Sequence, residues 1–282
     1  MEAISWIIVA VILMFLALPA VKKFPVCQSI IIANLVIFLL SLYKLPLNDL
    51  AFRPSYLFTS KSYTIFTSMF LHGDFYHIFF NMLGLLFIGI PFEHEVGRKR
   101  FALVYFVTGF FATLAYSFLS PGDSYLIGAS GAIFGVLGAF AASYPLKKIV
   151  LPLFMPIIIF IRLPVVAVAL LYAGVESLYT LSGVTDGIAH TAHLGGFVAG
   201  GFLSPLMKVK VEKARKIEAE DFLPFVRDGR EREILQKAMD ADEEEVKEAW
   251  LSYLAREVRC PKCGGEVEFR DGVRCKKCGY KR

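Results

Sequence analysis

Charge is absent from long stretches of this 282-residue chain. No Asp, Glu, Lys or Arg falls within residues 4–21 or 24–43, and none within 75–92, 101–119, 125–146 or 187–207. A seventh run, 163–181, carries a single acid, Glu176. With 56% hydrophobic residues and a mean hydropathy of +0.58, this excludes an ordinary soluble domain. Each run is long enough to cross a hydrocarbon core of ~30 Å as a helix. Seven spans in a multi-pass cell-membrane protein are therefore expected. An eighth apolar block, 149–161, lies between Lys147-Lys148 and Arg162 and is broken by Pro152 and Pro156. It is too short to cross and reads as an interfacial or re-entrant loop.

Positive charge is also missing where a signal peptide would need it. Met1-Glu2-Ala3 has none, and the run behind it is long for such a peptide. A retained helix is expected, the alternative being cleavage near Ala17–Ala20. Two short loops, around Gly122-Asp123 and between Ser182 and Asp186, contain no Lys or Arg. The opposite set of loops holds Lys22-Lys23, Arg98-Lys99-Arg100, Lys147-Lys148 and the run from Lys208 to Lys216. The positive-inside rule puts that set in the cytoplasm, with the C-terminal tail. Because Lys and Arg collect beside the spans, the net charge of +5 does not argue for nucleic acid.

Polar side chains inside the runs are few, and each is costly there. Three motifs stand out: His77-x-x-x-Asn81, Gly128-Ala-Ser-Gly131 and Ala192-His-Leu-Gly-Gly196. Counted inward from the outer face, His77 lies roughly 3 Å down its run, Asn81 and His193 roughly 9 Å and Ser130 roughly 8 Å. Glu176 falls near the same level. Scattered interhelical glue gives no reason for such agreement.

Ser130 lies off the small-residue stripe Gly128, Gly131, Gly135, Gly138, on a face with Phe134, Leu137 and Ala141. It is not a nucleophile elbow, since position 132 is Ala. His193 shares a face with Gly196 and Gly200, which lets its helix dock closely on another. A histidine in reach of a serine can take its proton and later protonate a leaving amine. His190, one turn earlier, is the rival base. A metal held by His190, His193 and Glu176 is a further alternative. His77 and Asn81 face the same way and can donate to a developing oxyanion, worth roughly 3–4 kcal/mol per donor. His72 lies outside the run and reads as a brace of the outer loop.

On these motifs, together with Glu93-x-x-x-Gly97, the chain resembles the rhomboid intramembrane serine proteases over residues 24–207. The resemblance implies an all-α, polytopic six-helix catalytic core, with residues 1–23 as an extra N-terminal transmembrane helix. It implies a Ser130–His193 dyad open to the outer face, without a catalytic Asp. The implied oxyanion hole is His77, Asn81 and the Ser130 backbone N–H. The implied substrates are transmembrane segments of membrane proteins, cleaved near the outer face. Two departures are visible. Tyr63-Thr64 stands where the family often has Trp-Arg, and Phe134 where it often has a Tyr stacked on the base. The alternatives are a non-catalytic rhomboid-like protein that binds client helices, and a transporter in which Glu176 and the histidines relay protons.

Composition changes at Lys208. Residues 208–258 read as a cytosolic helical linker, with one helix over 230–240. A second is capped by Asp242 and Glu245, with Val246, Ala249, Trp250, Tyr253 and Leu254 as its apolar stripe. Residues 259–282 read as a β zinc ribbon, because Cys260-x-x-Cys263 and Cys275-x-x-Cys278 are each followed by Gly. One structural zinc is expected, with no cofactor for catalysis. Little apolar core is expected in the tail, so metal should supply much of its folding energy. Basic residues around the ribbon (Arg270, Arg274, Lys276, Lys277, Lys281, Arg282) suit a protein, nucleic-acid or anionic-lipid partner, or a solvated surface. Cys27 reads as packing within its span.

Overall fold

The computed structural model describes all residues except 23, 121, 155–157, 184–185, 208–217, 242–243, 270–271 and 282. The basic run 208–216, the Asp242 cap, Arg270 and Arg282 thus lie outside the described residues. The chain forms two compact units, Met1–Val209 and Lys210–Arg282.

The first unit is a multi-pass helical membrane domain. Its long helices are α1 (Ala3–Lys22), α2 (Val26–Ser41), α3 (Phe75–Val96), α4 (Arg98–Leu119), α5 (Ser130–Ser143), α6 (Val165–Ser182) and α7 (His190–Met207). Four stretches among the described residues are long and apolar enough to cross a membrane: Ala3–Val21, Phe75–Val96, Arg98–Leu119 and Val165–Ser182. The 16-residue α2 and 14-residue α5 are apolar but shorter. The expected spans 24–43 and 125–146 therefore contain shorter helices. In α5 the shortening has a local cause. Leu126 pairs with Phe52 as a β-bridge, and Gly128 adopts φ +111°, so the chain turns helical only at Ser130. Most of α5 is buried against neighbouring helices, so it need not match the bilayer thickness.

Close helix contacts come from the glycines. A Cβ on Gly196 would strike the carbonyl oxygen of Gly131, one on Gly200 that of Gly135, and one on Gly138 that of Phe197. Helices α5 and α7 thus meet at backbone distance, as small-residue faces allow in lipid. Glu93, near the C-terminal end of α3, accepts the N–H groups of Val26 and Cys27 at 2.7 Å each. It satisfies orphan donors at the start of α2, where Pro25 offers no side-chain cap. Within α3, residues Leu85–Gly89 widen to a π turn just before Pro91. Proline has no N–H and its ring clashes with the carbonyl four residues back, which the wider turn relieves.

Two segments differ from expectation. The block around Pro152, expected as an interfacial or re-entrant loop, contains two paired antiparallel strands, β1 (Lys148–Phe154) and β2 (Ile158–Pro164). Its Ile- and Val-rich composition suits strands. The segment 44–74, expected as a long outer loop, is folded, with short helical turns at Leu47–Leu50, Pro54–Tyr56, Thr64–Thr67 and Ser68–Phe70. Leu50, Ala51 and Phe52 are fully buried, and Arg53 pairs with Asp123 at 2.5 Å.

The second unit contains α8 (Gly229–Met239), α9 (Glu244–Glu257) and the hairpin β3 (Val267–Phe269) with β4 (Val273–Cys275). A helical turn at Ala219–Phe225 precedes them. The expected shortage of core is corrected here. Phe222, Phe225, Ile234, Leu235, Leu251, Leu254, Val258, Val267 and Val273 form one cluster joining helices and hairpin. The buried face of α9 is Leu251, Leu254 and Ala255, while Val246 and Tyr253 of the expected stripe are exposed.

Candidate active site

Ser130 is the first residue of α5, not a turn into it, so its hydroxyl sits at a helix N-terminus. First-turn N–H groups there have no intrahelical acceptor, and the helix dipole favours negative charge. The Gly131–Gly196 contact brings the start of α7 beside it. His193 Nε2 lies 2.7 Å from Ser130 Oγ. His193 is buried, and Phe134 stacks on its ring with centroids 4.5 Å apart and planes 4° apart. His190 turns elsewhere: its Nδ1 is 2.6 Å from Glu176 Oε2, its Nε2 is 3.2 Å from Asp186 Oδ1, and Tyr179 stacks on it.

On α3, Asp74 caps the helix by accepting the His77 N–H at 2.9 Å. The His77 ring packs so closely on Gly128 that a side chain there would collide with it. Asn81 is buried and donates through Nδ2 to the His77 carbonyl at 2.7 Å. His72, expected to brace the outer loop, is buried with its ring edge-on to His77 at 4.9 Å. Burial first, and neighbouring His77 second, push its pKa down to about 3, so it is neutral. A cavity of about 20 Å³ beside Ser130, bordered by Ser68, Thr113 and Gly128, has room for about one water.

Glu176 is the residue whose place the sequence left undecided. Its depth was legible, and the two histidines were named beside it only as metal ligands or proton relays. It is buried on α6, and its two carboxylate oxygens approach two different histidines: Oε2 meets His190 and Oε1 lies 3.0 Å from His193 Nδ1.

A rhomboid domain model matches residues 59–209. The chain belongs to the rhomboid family. RHOMBOID-like protein 1 of Arabidopsis thaliana is 36% identical over 146 residues, covering 49% of this chain and 33% of that protein. Rhomboid-type serine protease 2 of Emericella nidulans is 33% identical over 135 residues, covering 47% and 24%. Inactive RHOMBOID-like protein 8 of Arabidopsis thaliana is 34% identical over 79 residues, covering 28% and 22%. The matched stretch thus spans a third or less of each of these rhomboid relatives.

In the second unit, the Sγ atoms of Cys260, Cys263, Cys275 and Cys278 lie within 4.8 Å of one another, and none is in a disulfide. Sulfurs around a tetrahedral zinc sit roughly 3.8 Å apart. The spacings of 3.6 Å for Cys260–Cys278 and 3.4 Å for Cys263–Cys275 are close to that. Gly264 and Gly279, both at φ +68°, turn the chain back so that their N–H groups reach the Cys260 and Cys275 carbonyls. The Cys278 N–H, helped by that of Lys277, aims at Cys275 Sγ and lowers its pKa to about 6 despite burial. The four residues fit a metal. The basic surface is partly neutralised, because Arg274 pairs with Glu268 and Lys276 with Glu266.

Proposed function

We propose that the protein is an intramembrane serine endopeptidase that cleaves transmembrane segments of other membrane proteins near the outer face of the bilayer. The observation that carries this reading is the 2.7 Å approach of His193 Nε2 to Ser130 Oγ at the start of a buried helix. His193 takes the hydroxyl proton as Ser130 Oγ attacks the scissile carbonyl. The Ser130 N–H, His77 and Asn81 stabilise the oxyanion. His193 then protonates the leaving amine, and a water admitted from the outer side hydrolyses the acyl-enzyme. Phe134 holds the imidazole by stacking, in place of a hydroxyl-bearing ring. The tail faces the cytoplasm. Its four cysteines hold one structural zinc, which neutralises the thiolates and ties the two knuckles together.

The second reading is a non-catalytic client-binding protein, favoured by the relative named inactive. The two separate by experiment. Purified protein should be labelled by a serine-directed phosphonate and should cleave a model transmembrane substrate. Ser130→Ala and His193→Ala should abolish both, while His190→Ala keeps measurable turnover. Cleavage by the Ser130→Ala variant would end the protease reading.

A further inference from the structure

Glu176 has no part in the mechanism above, yet it is a carboxylate buried in a membrane-spanning helix. Such a group is expensive to keep unless it is paired. Its neighbours form one continuous chain. Ser130 Oγ meets His193 Nε2 at 2.7 Å, and His193 Nδ1 faces Glu176 Oε1 at 3.0 Å. Glu176 Oε2 meets His190 Nδ1 at 2.6 Å, and His190 Nε2 reaches Asp186 at 3.2 Å. For Nε2 to accept the serine proton, His193 must carry its own proton on Nδ1. That atom is buried and has no hydrogen-bond partner of good geometry among the described residues. Glu176 Oε1, in ionic contact at 3.0 Å, is the acceptor close enough to serve it, although the contact falls short of hydrogen-bond geometry.

A metal among the same three residues fits less well. Ligands at ~2.0–2.2 Å around a tetrahedral ion stand roughly 3.3–3.5 Å apart, wider than the 2.6 Å between Glu176 and His190. A shared proton fits that distance.

We propose that Glu176 is a positioning residue for His193: it holds the proton on Nδ1, orients the ring toward Ser130 and stabilises the imidazolium formed during attack, while His190 and Asp186 fix the carboxylate itself. The inference rests on the protease reading. It also joins α6 to the active site, because Glu176 is the buried charge through which that helix reaches the base.

The test uses full-length protein and three readouts: steady-state kinetics on a model transmembrane substrate, the rate of phosphonate labelling, and proton NMR of 15N-histidine-labelled protein. In E176Q, kcat and labelling rate should fall together by roughly tenfold to a hundredfold, with KM and thermal midpoint little changed. E176D, which keeps the charge, should recover part of the loss. Wild type should show two downfield imidazole protons, one lost in His193→Ala and one in His190→Ala, and both lost in E176Q. Full labelling of E176Q with the His193 resonance intact would overturn the proposal. So would a rate loss that tracks a fallen midpoint and is not recovered by Asp. Wild-type protein that neither cleaves nor labels, yet loses both resonances in E176Q, would sink the protease reading and leave the Glu176–His193 link standing.

Discussion

Phe134 lies flat against His193, one helical turn beyond Ser130 on the same face of α5. The stacking surface for the base and the nucleophile are thus presented by one helix. The contact is with the ring alone, so its hydroxyl-free form suffices. Phe134→Tyr should leave turnover within a fewfold of wild type. Phe134→Ala removes the face and frees the imidazole to turn from Ser130. Its kcat should fall by roughly tenfold or more, the usual cost of losing orientation, measured on the model substrate. Equal activity of the Ala variant would show that Glu176 and packing orient the ring without help.

The α5–α7 contact gives a second prediction with its control built in. A side chain on Gly200 would run into the Gly135 carbonyl and the Ala139 amide, while Gly201 has nothing within 4 Å. Gly200→Val should separate the helices, abolish activity and lower recovery of folded protein, in the range of 1–3 kcal/mol or more for overpacking. Gly201→Ala should be silent in both. The comparison by thermal unfolding in detergent fails the argument if the two behave alike.

These relationships mark where the sequence could be read and where it could not. Spacing and depth brought His77, Asn81, Ser130 and His193 forward, because a polar residue in an apolar run has few reasons to be there. The same apolarity hides packing. Helix α2 has no clear apolar stripe to say which face meets a neighbour, whereas on α5 only the glycine stripe marked the face that meets α7. Glu176 was visible as a charge, but its two histidine partners depend on how α6 is rotated against α7. Run length also fails for residues 125–129, where an extended, glycine-bearing segment is as apolar as the helix that follows. The folded segment 44–74 was missed because turns of three or four residues carry no period.

Glu93 offers a test of a polar residue serving the fold alone. Its carboxylate accepts the N–H groups of Val26 and Cys27, both buried. Glu93→Ala leaves two donors unpaired, each costing about 1–3 kcal/mol. Thermal stability should drop while the labelling rate of the protein that remains folded is unchanged. Glu93→Gln, which keeps one acceptor oxygen, should fall between. A selective loss of labelling at full stability would mean that Glu93 acts on the active site.

Metal removal should affect the tail and spare the catalytic chemistry. Elemental analysis of the full-length protein should find about one zinc per chain. Chelation should raise hydrogen exchange across β3 and β4, and also in α9, because Val267 and Val273 pack in one cluster with Leu251 and Leu254. The ligands must be thiolates, so acid should release the metal and alkali retain it. Cys263→Ser should reproduce the chelated state at every pH. Metal-free protein with unchanged exchange would show that the apolar core alone holds the tail.

Orientation in the membrane is the last point, and loop charge makes the prediction. Tyr43 and Leu146 are 94% and 79% exposed, on loops assigned to opposite sides. Cys27 is buried, and the four tail cysteines are proposed metal ligands, so a new surface thiol should dominate the reaction. In intact cells, a membrane-impermeant maleimide should label Tyr43→Cys and leave Leu146→Cys untouched until the cells are opened. The positive-inside rule assigns Lys147-Lys148, next to Leu146 in sequence, and Arg98–Arg100 to the cytoplasm. The reverse pattern would invert the bilayer around the site. Ser130 would then face the cytoplasm and the cysteine-bearing tail the outside.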